Sequence, residues 1–205
     1  DIGVIRVAAF DPQAAEGVRA AAARLRSEAG GGLKAFVLDL RNSSGAALDP
    51  AIDVASAFVE GGEIVSIQGR EGEQAQRFRA RGANIGEGKP VAVLINAGTA
   101  SAAEVVAGAL QDARRATLVG VRSFGQGSTQ TIIPLGDDKG AIRLTTGRWV
   151  TPSGRVIHGK GIEPDVIVLQ PAEAAGGDAQ LAAALDLLRG VRKASDFKPP
   201  ETKAN

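Results

Sequence analysis

Two stretches of this 205-residue chain hold side chains whose types and setting suit acyl-transfer chemistry. In NAGTASAAE (96–104), Ser101 stands where the apolar run PVAVLIN (90–96) meets a helix-forming stretch of alanines and valines. Its neighbours Gly98, Thr99, Ala100, Ala102 and Ala103 are small, so a substrate backbone can come close. A helix start also leaves N–H groups unpaired, and such donors can stabilise a developing oxyanion. In SFGQGSTQ (123–130), Gly125 and Gly127 flank Gln126, the pattern of a backbone bent to present one long polar side chain. Each stretch also has a plainer local reading. Ser101 or Thr99 can cap the helix with Glu104 completing a capping box, and Gln126 can be a solvated turn residue.

The elements that must position these residues alternate in type. IGVIRVAAF (2–10) is alternating and β-branched and predicts a strand. Asp11-Pro12 opens a helix in which Ala14, Val18, Ala21, Ala22 and Leu25 recur at helical spacing until the glycines at 30–32. LKAFVLDL (33–40) and PVAVLIN are nearly continuous apolar runs, as expected of strands buried on both faces. The first ends in RNSSGAA (41–47); a helix over about 50–59 and the strand EIVSIQG follow. Residues 70–89 are charged and glycine-rich and predict an exposed excursion. Beyond them come a helix over about 102–113, the strand ATLVG (116–120), and a hairpin of TQTIIPL and GAIRLTTGRWV around Gly-Asp-Asp-Lys-Gly. TPSGRVIHGKGIEPDVIV closes the β part, and a helix over about 178–189 precedes a polar tail expected to fray. This order predicts an α/β fold with a largely parallel sheet flanked by helices, its ligands at the carboxyl ends of the strands.

Composition excludes several function classes. There is no cysteine and one histidine, His158, so Cys/His metal sites and thiol catalysis are ruled out. Aromatic residues make up 3% with no tyrosine, which leaves little for stacking nucleic-acid bases, and a net charge of +1 gives no basic footprint. No run approaches the roughly 18–20 apolar residues that span a bilayer.

Taken together, LDLRN, KPVAVLIN, GTASAAEVVAGALQDARRA, RSFGxGSxQTIIPL, LTTGRWVTPSGR and GKGIEPD occur in order between Gly3 and Gln170. In this the chain resembles the carboxyl-terminal processing, or tail-specific, Ser/Lys proteases. The resemblance implies a ClpP/crotonase-like core over 1–170, with 171–205 a C-terminal helix and polar tail. It implies that the serine matching Ser101 is the nucleophile, that a lysine at the position of Gln126 is the general base, and that the glutamine matching Gln130 orients it. Oxyanion donors would come from Gly45 or Ala46 and from Ala102, with Asp112 in support. It implies no cofactor, unstructured protein or peptide C-terminal segments as substrates, no nucleic acid, and location in the periplasm or cell envelope. An adaptor protein and oligomerisation are compatible with it. Members commonly carry a PDZ domain before this core, and the chain begins about where one would end. Other enzymes of the fold stabilise enolates of acyl-CoA thioesters, but the motifs match the protease branch.

Two positions depart from the family pattern. A carboxamide at Gln126 accepts a hydrogen bond but cannot hold the proton of Ser101, so the chain as written is expected to hydrolyse peptides very slowly or not at all. Gln126 is either an exchange for lysine that traps bound substrate or a mark of a natural pseudoprotease that binds peptides. Where the family usually has Asn-Pro-Gly-Gly, this chain reads Ser43-Ser44-Gly45-Ala46, and alanine resists the positive φ open to glycine. That second departure favours divergence. His158 and Lys160, in IHGKGIEPD, are read as parts of a structural turn.

Overall fold

The computed structural model describes residues 1–70, 75–82, 84–136, 139–170 and 177–196. The polar tail from residue 197, the tip of the predicted hairpin turn and part of the 70–89 excursion lie outside them. The elements run β1 (Ile2–Arg6), α1 (Ala14–Glu28), β2 (Ala35–Asp39), α2 (Leu48–Ser56), β3 (Glu63–Gln68), β4 (Gln76–Arg79), β5 (Val91–Ile95), α3 (Ala102–Asp112), β6 (Ala116–Gly120), β7 (Ser128–Pro134), β8 (Ala141–Val150), β9 (Val166–Ile167) and α4 (Ala179–Leu188). Five strands pair in the order β1-β2-β5-β6-β9, every pair parallel.

The two continuous apolar runs form the middle of this sheet, and β2 and β5 are buried along their whole length. The strand period of two divides their side chains between two cores. Phe36, Leu38, Val91, Val93 and Ile95 face α1, α2 and α3, whereas Val37, Ala92 and Leu94 face Ala183 and Ala184 of α4. α4 is tied down by charge as well. Arg41 donates to both oxygens of Asp39 (2.9 and 2.8 Å) and of Asp178 (2.8 and 2.7 Å), and Asp178 caps α4 by accepting the N–H of Leu181. Hydrogen bonds to the two carboxylates hold the Arg41 guanidinium well above its ordinary pKa.

The sequence predicted one mostly parallel sheet; the structure has a second, antiparallel one, ordered β4-β3-β8-β7. β3 and β8 pair through their backbones although they lie far apart in sequence, a non-local contact that neither stretch marks locally. The 70–89 excursion contributes β4 to this sheet. The first strand is shorter than predicted, ending at Arg6, and Asp11 precedes the observed N-cap, Gln13, whose N–H it accepts.

Candidate active site

The loops that leave β2 and β5 lie side by side. Asn42 N–H donates to Asn96 Oδ1 at 2.9 Å and Asn96 Nδ2 donates back to Asn42 Oδ1 at 3.0 Å. Thr99, fully buried, donates through Oγ1 to the Leu40 carbonyl and accepts the Asn96 N–H. Both loops are thus locked at the carboxyl edge of the sheet, where the α/β rule places a site.

Ser101 is the N-cap of α3, so the plain reading of the sequence is correct as far as it goes. Yet its backbone, at φ 56° and ψ −116°, is one that a non-glycine residue adopts at a cost of about 1–3 kcal/mol. A cap needs no such strain, whereas a nucleophile held on a sharp strand-to-helix turn does.

Glu104 shows what over-determines this turn. Its carboxylate is fully buried and accepts the Ser101 N–H at 2.9 Å, the Gln126 N–H at 2.7 Å, the Gly125 N–H at 2.7 Å and the Ser123 hydroxyl. One carboxylate therefore fixes the serine turn and the glutamine turn together. The sequence showed Glu104 only as half of a capping box; the SFGQG turn on the far side of the carboxylate was not visible from spacing. Behind that turn, Gly125, at φ +93°, packs against the backbone of residues 159–161 and Gly127 against the Ile157 side chain and His158 backbone, leaving no room for a Cβ at either. Gly159 N–H donates to the Gly125 carbonyl at 2.8 Å, so IHGKGIEPD buttresses the turn, and His158 and Lys160 are exposed within it.

Ser101, Gln126, Gln130, Gly45 and Ala46 line one cleft of about 700 Å³. A bulge between Thr129 and Gln130 breaks the β7–β8 register and brings both side chains to the cleft. Its apolar wall includes Leu48 of α2 and Ile67, Phe78, Ile132 and Trp149 of the second sheet, none of which the sequence placed there. Asp112 stands apart at the end of α3. It pairs with Arg155 and accepts the Ser153 N–H at 2.9 Å, bracing the turn after β8. Burial pushes its carboxyl up, but hydrogen bonds from Thr151 and Ser153 and the Arg155 charge outweigh this and hold it below the ordinary range. A depressed carboxyl stabilises the fold above its unfolded-state value of about 3.9 and loses that contribution as pH falls through the lower folded value. Melting temperature followed from pH 5 to pH 2 should therefore fall less steeply for Asp112→Asn than for the parent, from a lower starting point. Parallel curves would refute this role.

The first loop is held through its carbonyls. Ser43, Ser44 and Gly45 give their carbonyls in turn to the N–H groups of Ala100 (2.9 Å), Phe10 (3.0 Å) and Ala102 (3.2 Å). A Cβ on Gly45 would stand 2.6 Å from Phe10 Cβ and 2.8 Å from the Phe10 carbonyl oxygen. Overpacking of this kind costs about 1–3 kcal/mol. Gly45→Ala should thus lower the melting temperature by roughly 2–12 °C, at about 2–4 °C per kcal/mol for a domain of this size. An unchanged melting curve would mean that the loop stands off Phe10.

The chain is 51% identical to the carboxy-terminal-processing protease of Bartonella bacilliformis over 172 residues, covering 83% of this chain and 39% of that protein. It is 41% identical to the carboxyl-terminal-processing protease of Synechocystis sp. over 194 residues, 92% of this chain and 44% of that protein. The chain thus spans less than half the length of these relatives. Among solved structures, the photosystem II D1 C-terminal processing protease superposes with a TM-score of 0.75 at 35% identity, over 82% of this chain and 42% of that one. Tricorn protease, at 13% identity and a TM-score of 0.60, shares the fold, which is the ClpP/crotonase-like core that the resemblance implied. Residues 1–168, from the first strand through the cleft to the last strand of the parallel sheet, match Peptidase family S41, and the chain belongs to that family.

Proposed function

We propose that this chain is the core of a serine endopeptidase of the carboxyl-terminal processing type, with Ser101 as the attacking nucleophile. The observation that carries this reading is the shared anchoring by Glu104, which sets a strained serine and the turn bearing residue 126 on one cleft. In that reading the side chain of residue 126 should take the serine proton, and Gln130 should orient it. Gln126 has no basicity to do so, and the chain as it stands hydrolyses peptides very slowly or not at all. Substrates are unstructured protein or peptide C-terminal segments that lie in extended form along the cleft. Its place is the periplasm or cell envelope, where an adaptor protein or self-association can govern access. The testing experiment is cleavage of an unstructured protein such as casein by the parent, by Gln126→Lys, and by Gln126→Lys with Ser101→Ala.

A second reading is favoured by one observation. The N–H of Ala102, a proposed oxyanion donor, is already taken by the Gly45 carbonyl. A natural pseudoprotease that holds peptides without cleaving them needs neither a base nor a free oxyanion hole. Saturable binding of an unstructured peptide, with lysine at position 126 restoring no turnover, is the result that would select this reading.

A further inference from the structure

The carbonyl of Gly45 sits where a substrate oxyanion would have to receive the Ala102 N–H. The N–H groups of Gly45 and Ala46, meanwhile, have no hydrogen-bond partner among the described residues. Donors and acceptor are therefore reversed: the acceptor points into the hole and the donors are unused. Ser43 Oγ, in the same loop, is fully buried and has no partner either, an uncommon and unfavourable state for a hydroxyl. We propose that the loop is a two-position latch, drawn in its closed position, and that Ala46 is the positioning residue that sets how often it opens. This proposal rests on the acyl-transfer reading of the site.

Opening needs only the peptide between Gly45 and Ala46 to turn over. That rotation changes ψ of Gly45 and φ of Ala46 in opposite senses, swinging the carbonyl away from Ala102 and the Ala46 N–H toward it. Gly45 accepts any ψ change readily. Ala46 does not now have a positive φ, and turning the peptide drives it toward that side, which a Cβ resists. The remaining anchors, Ser43 to Ala100 and Ser44 to Phe10, do not involve this peptide and stay in place. Binding of a peptide carbonyl that turns into an oxyanion favours the open position because only there do two donors face it. Glycine at position 46 removes the resistance, and its effect should be about tenfold, the factor that corresponds to the left-handed backbone penalty of one residue.

The test compares the whole chain with Ala46→Gly and Ala46→Ser. Hydrogen exchange followed by NMR should show the Ala102 amide exchanging about tenfold faster in Ala46→Gly, with the β5 amides unchanged and Ala46→Ser like the parent. In the Gln126→Lys background, Ala46→Gly should raise kcat for casein-derived peptides about tenfold with little change in KM. Equal Ala102 exchange in folded parent and Ala46→Gly protein overturns the latch, whatever the activity. If the Ala102 amide opens but no Gln126→Lys form cleaves anything, the latch stands and the protease reading falls.

Discussion

Gln126→Lys should raise the rate of casein cleavage by at least about 10²–10⁴, the usual worth of a positioned general base. The gain approaches 10⁴–10⁶ if serine, base and orienting glutamine act as one unit, because removing one member of such a unit forfeits most of what all of them provide. The physical ground is that the serine and the turn that presents the base are already held. The backbone of residue 126 is fixed by Glu104, its turn by two glycines that admit no side chain, and the strained Ser101 by the same Glu104 carboxylate. A lysine amine placed against the apolar wall of Ile67, Phe78 and Trp149 loses solvation of its charged form, which lowers its pKa toward neutrality and lets it accept the serine proton. The rate should accordingly climb as pH rises through that lysine's pKa. Gln126→Arg is the decisive control, since guanidinium brings the charge but stays protonated. Activity in the lysine form that vanishes with Ser101→Ala and never arises with arginine identifies a base. Equal activity with arginine would show that charge alone is needed and would sink the general-base assignment.

The parallel half of the fold was readable because it rests on patterns that the chain shows locally. LKAFVLDL and PVAVLIN have no polar face, which only a strand covered on both sides permits, and β2 and β5 are those strands. The helix over residues 102–113 and the strand at 116–120 were likewise set by apolar period and by the turn between them. Of the antiparallel sheet only the β7–β8 hairpin was readable, from the turn between its strands, because nothing in β3 or β4 marks that they join it. At the site, residue types pointed to Ser101 and to the turn around Gln126, and both reach the cleft. What spacing could not show was the direction of groups. The Gly45 carbonyl facing Ala102 depends on one peptide's orientation, and the burial of Glu104 depends on a turn some twenty residues away in sequence. Ala46 was expected to resist a positive φ, and it does not have one, but spacing could not show that the Ala102 N–H is filled by the Gly45 carbonyl.

Glu104→Gln should be the most damaging conservative change in the chain. The substitution preserves shape and volume, so any effect reports hydrogen bonding and charge. The groups that converge on the carboxylate are all donors: Ser101 N–H and Gln126 N–H on Oε2, Gly125 N–H and the Ser123 hydroxyl on Oε1. Glutamine offers one oxygen and an NH₂, so its NH₂ meets either the Ser101 and Gln126 N–H groups or the Gly125 N–H together with a Ser123 hydroxyl that must give up its own donation. Each such donor left unpaired costs about 1–3 kcal/mol, or roughly 2–6 kcal/mol for the pair. At about 2–4 °C per kcal/mol, the melting temperature should fall by roughly 4–24 °C. The choice of orientation also decides where the damage goes. With its NH₂ toward Ser101 and Gln126 the serine backbone is free to relax from its strained φ, and with the opposite orientation the Ser123–Gly125 half of the turn is freed instead. Either relaxation separates the two turns that Glu104 joins, so in the Gln126→Lys background Glu104→Gln should lower kcat far more than it raises KM. Ser123 provides the internal check, because its hydroxyl both donates to Glu104 and accepts the Ile162 N–H at 2.7 Å. Ser123→Ala removes one of the donors and should be milder on kcat than Glu104→Gln. A Glu104→Gln protein that melts where the parent does and keeps its kcat would show that the two turns are held by packing alone.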